Sequence, residues 1–312
     1  MRFAISIESA STWRDILDEC RYTESIGWDG IWFSDHFMPN TAAANGPMNE
    51  GWTMVAALAA AVPRVRIGTL VCGNTFRHPA VLAKMAAGID QISGGRFVLG
   101  LGAGWQENEH KAYGIPFYTV GGRLRRLEEA CQVIKGLFEN ERTTFAGRYY
   151  QLTEAPLEPK PVQRPLPLLI GGGGEQKTLR IAARYANEWN VWGTPEVMRH
   201  KGAILDRHCA EIGRNPAEIS RSAMALLALS DDASVVERAR GTARAVIAGN
   251  PGEVKQQISD YISAGVDEII IQAAEIEMDQ KKADLLPIYR RGGFRVSSGG
   301  GMTMGVRYEA TT

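Results

Sequence analysis

The feature that most constrains this chain is a regular alternation of short apolar runs with amphipathic stretches, sustained from residue 2 to residue 290. Residues 2–8, 29–34, 65–72, 96–101, 166–170, 188–191, 220–229 and 266–272 predict strands. Residues 12–26, 53–62, 79–92, 123–138, 175–185, 196–212, 235–248, 252–264 and 281–290 predict helices. Pro63 stops the second helix, and Pro79 sits where a first helical turn tolerates proline. Eight strand–helix units in about 290 residues is the arithmetic of a (β/α)8 TIM barrel. A doubly wound sheet is the competing arrangement, but no GxGxxG follows the first strand, where such a fold binds its dinucleotide.

Within this scheme residues 1–291 form a single barrel domain, with insertions at about 105–122 and 140–165. The second insertion carries a hairpin at 143–152. Residues 292–312 form a glycine- and serine-rich tail without periodicity. Basic and acidic residues balance at 35 each, which argues against a nucleic-acid partner. The longest apolar run, 54–62, is far short of the roughly 20 residues a membrane helix needs. No charged and then apolar leader opens the sequence. Cys20, Cys72, Cys131 and Cys209 are scattered, without CxxC pairs or histidines at metal spacing. These features predict a cytoplasmic protein with no resident metal and no membrane segment.

A barrel gathers its chemistry at the C-terminal ends of its strands. Glu8 ends the first strand and is either an acid at the mouth or an ion-pair partner for a neighbouring loop. Asp35 and His36 follow the second; a histidine there either exchanges protons near neutral pH or orders the loop. Cys72, Gly73, Asn74 and Thr75 follow the third, and Gly102 to Asn108 follow the fourth. Trp105 either lines a ring-binding pocket or packs the insertion onto the rim. Arg77 either meets an anionic ligand or forms a salt bridge at a helix entry. Gly171, Gly172, Gly173 and Gly174 run from a strand into a helix, where exposed backbone N–H groups suit a phosphate.

Several segments resemble the luciferase-like monooxygenase superfamily, and within it the coenzyme F420-dependent oxidoreductases. They are DGIWFSDHF (29–37), RHPAVLAK (77–84), SGGRFVLGLGAGW (93–105) and PLLIGGGGEQKTLRIAARYANEWN (167–190). The likeness extends over about residues 2–289. It implies a barrel, a homodimer, and a deazaflavin (or, alternatively, FMN) at the mouth. It also implies a small organic substrate that exchanges a hydride with C5 of the deazaflavin, by C=C or C=N reduction or alcohol oxidation. The FMN alternative is a two-component monooxygenase using reduced flavin and O2; in either case a separate reductase supplies reduced cofactor. By the same resemblance His36 is the active-site histidine, with Asp35 beside it; Glu8, from its place after the first strand, is the candidate auxiliary acid. Leu70, Val71 and Cys72 form a bulge with a cis peptide between Leu70 and Val71, backing the ring system. Asn74, Trp105 and Asn108 lie against the cofactor, and Gly171 to Gly174 hold its phosphate. Asn40 and Trp105 replace the tryptophan and the glutamate of the sugar-phosphate dehydrogenases, so a sugar phosphate is not the expected substrate.

Overall fold

The computed structural model describes residues 1–40 and 46–273. The predicted helix 281–290 and the tail from residue 292 lie outside the described residues. The first half of the chain runs β1 (Arg2–Ile7), α1 (Trp13–Ser25), β2 (Gly30–Phe33), α2 (Gly51–Ala61), β3 (Arg66–Thr69), β4 (Cys72–Gly73), α3 (Pro79–Ser93) and β5 (Phe97–Gly102). An insertion follows: α4 (Glu107–Ala112), α5 (Val120–Glu139), β6 (Arg142–Ala146) and β7 (Gln151–Pro156). The rest runs β8 (Leu168–Gly171), α6 (Thr178–Tyr185), β9 (Glu188–Trp192), α7 (Pro195–Glu211), β10 (Ser220–Leu229), α8 (Ala233–Arg240), β11 (Val246–Gly249), α9 (Pro251–Ser263) and β12 (Glu268–Ala273).

The helix starts obey local chemistry. Thr12, Glu50, His78, Thr119, Thr194 and Asn250 each accept a backbone N–H of the turn they cap. Asn250 and Glu253 complete a reciprocal capping box on α9.

All barrel pairings are parallel and close on themselves in the order β1, β2, β3, β5, β8, β9, β10, β12, with β12 returning to β1. Ala4, Trp32, Val98, Leu169 and Ile270 fill the interior, capped by Leu70 and Val71. A larger apolar cluster joins the outer faces of the strands to the surrounding helices. The bottom is closed by charges. Arg2, Arg66, Glu188 and Glu268 each open their strand, and fully buried Glu268 accepts from Arg66 (3.0 Å), Arg2 (3.2 Å) and the Trp32 indole (3.1 Å). Arg66 also pairs with Glu188, so two cations face two carboxylates and no charge is left alone in the interior.

One predicted element is corrected. Residues 235–248 are not a single helix: α8 ends at Arg240, and Val246–Gly249 becomes β11, parallel to β10 with Leu226 opposite Val246 and Leu229 opposite Gly249. The alanine-rich composition suits a helix, but β10 offers unpaired backbone beyond the end of β9, and ladder formation outweighs propensity there. The predicted hairpin forms as antiparallel β6 and β7. No helix among the described residues is long and apolar enough to cross a membrane.

Candidate active site

The centre of the mouth is a bulge between β3 and β4. Thr69 donates its hydroxyl to the Gly100 carbonyl (2.8 Å) and the Leu70 N–H reaches the Phe33 carbonyl (2.9 Å), fixing the chain on both sides. The Leu70–Val71 peptide is cis. Val71 fits between two strand ends that must be glycine: a Cβ at Gly102 or at Gly171 would lie 2.8 Å from its methyl groups. The result is an aliphatic floor facing out of the barrel. Cys72, next along, turns its fully buried thiol away from that floor; burial first, and then the nearby Asp35 carboxylate, push the thiol well above its ordinary range.

Asp35 and His36 leave β2 in opposite directions. Asp35 is buried and clamped by Arg77 through contacts of 2.7 and 3.1 Å, and Arg77 also reaches Glu50 at 2.5 Å. Arg77 therefore forms the salt bridge at a helix entry, ahead of His78 and α3. The His36 side chain keeps 22% exposure toward the mouth. Its Nδ1 lies 2.8 Å from Oε1 of Glu109, while Oε2 of the same carboxylate accepts the Phe37 N–H at 2.8 Å. The Trp105 ring stands edge-on to the imidazole, 5.6 Å between centroids, and is itself 61% exposed.

The other expected residues sit at varying distance from this pair. Glu8 directly follows β1 and accepts the Ala10 N–H (3.3 Å). Asn108 gives its amide to the Pro39 carbonyl (3.0 Å) and caps the Glu109 N–H (2.8 Å), so it ties the loop after β5 to the loop after β2. Asn74 is buried beside β4; its amide donates to the Tyr150 hydroxyl (3.1 Å), and its carbonyl oxygen has no partner among the described residues. At the end of β8, Gly172 takes φ +120°, a backbone state closed to most side chains, and the N–H groups of Gly173 and Gly174 find no acceptor among the described residues. Lys201 on α7 steadies this turn, donating to the Gly173 carbonyl at 2.7 Å and to Glu175 at 3.1 Å.

Three contributors were not singled out from the sequence. Glu109 is one; it lies in the first turn of α4 and is fully buried. Tyr150, from the β6–β7 loop, docks on Asn74 and meets His78 edge-on at 5.3 Å. Arg244 lies over Trp192 (4.6 Å) on the far rim. Among the described residues no group of acidic, histidine and cysteine side chains could hold a metal ion.

A (β/α)8 barrel with a bulged aliphatic floor, a histidine against a carboxylate and a glycine turn at the ends of its strands places the candidate site at the barrel mouth. The luciferase-like monooxygenase family model matches residues 1–259, and the chain belongs to that family. An F420-dependent glucose-6-phosphate dehydrogenase of Amycolatopsis mediterranei is 35% identical over 175 residues, covering 55% of this chain and 50% of the relative, about half its length. A protein of the same name from Kineococcus radiotolerans is 28% identical over 308 residues, covering 86% and 90% of the two chains. An F420-dependent secondary alcohol dehydrogenase, solved in complex with an F420-acetone adduct, superposes with a TM-score of 0.76 at 22% identity, covering 87% of this chain and 93% of that one.

Proposed function

We propose that this protein is a coenzyme F420-dependent oxidoreductase that exchanges a hydride with a small organic substrate at the barrel mouth. The observation that carries the reading is His36, partly exposed after β2 and held by buried Glu109, on the same end of the barrel as the Leu70–Val71 floor. The names of the two dehydrogenase relatives support the choice of cofactor. The residues fit such a group: an aliphatic floor for a flat ring, an exposed indole beside it, a partnerless buried Asn74 carbonyl, and free N–H groups at Gly173 and Gly174 for a phosphate. When bound, the deazaflavin would give the hydride from C5 in its reduced form or accept it there in its oxidised form.

The protein's own part is orientation and proton handling. With the Glu109 carboxylate accepting from Nδ1–H, the tautomer this contact favours carries its lone pair on Nε2. His36 then takes a proton from a substrate hydroxyl in alcohol oxidation, or, when protonated, gives one to the carbon or nitrogen of a reduced C=C or C=N bond. Asp35, locked to Arg77, positions the backbone from which His36 projects. Trp105 walls the pocket and limits water around the reacting atoms.

Anaerobic titration with oxidised coenzyme F420 and separately with FMN tests this reading. About micromolar binding of the deazaflavin with far weaker FMN binding is the expected result. The reverse order overturns it in favour of an oxygen-using, FMN-dependent monooxygenase fed by a separate reductase.

A further inference from the structure

Outside the mouth, the N-terminal half of α5 and one face of α6 enclose a groove of about 250 Å³. Lys177, Arg180, Ile181 and Arg184 recur at helical spacing and so share the α6 side of it. Arg125 and Glu128 face them from α5. Four cations thus meet one carboxylate, and Glu128 is already taken by Arg184 at 2.9 Å. Arg125 binds the Tyr149 hydroxyl (3.0 Å), and Arg126 and Arg148 crowd the same ring, adding positive charge at the rim. Lys177 and Arg180 pair with no acid among the described residues. The whole chain is electrically neutral, so this concentration is local and not a general basic surface. Like charges gathered in one groove repel each other unless an anion offsets them.

We propose that this groove binds a chain of carboxylates or phosphates continuing outward from the glycine turn. α6 begins at Thr178, four residues after Gly174, so the groove opens where the phosphate site would end. From Lys177 to Arg184 the helix rises about 10 Å, room for two or three anionic units. The inference rests on the F420 reading, because that coenzyme extends its phosphate into an acidic oligoglutamate tail whereas FMN ends at the phosphate. The groove would therefore recognise the tail and favour the longer coenzyme.

The experiment compares three probes on the wild type and on a Lys177→Glu/Arg180→Glu variant, whose changes fall on exposed positions. They are coenzyme F420 with its tail, the same deazaflavin truncated after its phosphate diester, and a fluorescent tetraglutamate peptide. The wild type is expected to bind the tailed form about tenfold more tightly than the truncated form, a gap that closes near about 0.5 M salt and vanishes in the variant. Equal binding of the two forms by the wild type, or a gap that survives charge reversal, overturns the proposal. If neither deazaflavin binds, the cofactor reading fails and the peptide decides the groove. Saturable peptide binding lost in the variant upholds the anion site, and absence of binding removes it.

Discussion

Glu109 bridges two neighbours with one carboxylate: Oε1 meets Nδ1 of His36 and Oε2 meets the N–H of Phe37, both at 2.8 Å. Oε2 accepts the Phe37 N–H, and an ionised carboxylate would accept from Nδ1–H through Oε1 as well. An amide offers one acceptor and one donor, so Glu109→Gln must either lose the Phe37 bond or force Nδ1 to accept. The second outcome moves the proton to Nε2 and removes the lone pair from the mouth. Turnover of Glu109→Gln should fall on the order of 10- to 100-fold with cofactor affinity retained. His36→Ala should fall by about 10²- to 10⁴-fold. Steady-state kinetics with a separate cofactor titration checks both, and full turnover in either variant would remove the pair from the mechanism.

Trp105 is an exposed indole in contact with His36, so a ring entering the mouth must cover it. Cofactor binding should quench tryptophan emission, and Trp105→Phe should lose most of that change although six other tryptophans remain of the seven. An undiminished quench in the variant would place the ring elsewhere.

At the bottom of the barrel, Glu268→Gln weakens the hold on Arg2 and Arg66 while keeping an acceptor for Trp32. A destabilisation of about 3 kcal/mol is expected by urea unfolding, because cations are left under-compensated in a buried setting. A change below about 0.5 kcal/mol would mean that Glu188 alone suffices.

Burial alone would raise the Glu50 carboxyl, but the hydroxyl and N–H of Thr53, the Trp52 N–H and the Arg77 guanidinium outweigh it and hold it below the ordinary range. A carboxyl lowered by folding contributes stability that is present above its unfolded pKa and lost as pH falls through its folded pKa. Glu50→Gln should therefore flatten the acid limb of the stability–pH curve below about pH 4.3 and leave its neutral slope unaltered. Parallel curves for the two proteins would contradict the assignment.

All four cysteines are buried with thiols pushed up, Cys20 to about 12 and Cys72, Cys131 and Cys209 in the same direction, in each case chiefly by burial. The native protein should react negligibly with a disulfide reagent at pH 8, and fully after denaturation. Rapid labelling of the native chain would show a thiol nearer the surface.

The barrel was readable because its strands are short apolar runs bounded by glycine and proline, and its helices carry one apolar face. Val246 to Gly249 misled because nothing local distinguishes it from helix; the decision rests with β10, a partner about twenty residues earlier. His36 was found from its place after a strand. Glu109 was not, because its meaning depends on a residue 73 positions away. Asp35 illustrates the same limit: beside His36 in sequence, it belongs in space to Arg77, 42 residues on.

The β10 strand pairs with β9 only as far as Met224 opposite Trp192, yet continues to Leu229 with β11 at its side. Five further residues at about 3.3 Å each carry β10 about 16 Å along its own axis beyond that last pair. Among the described residues that edge of the mouth is built in two tiers, with β11 taking over along β10 where β9 ends. A bulky group arriving over β9 would have to clear β11 first.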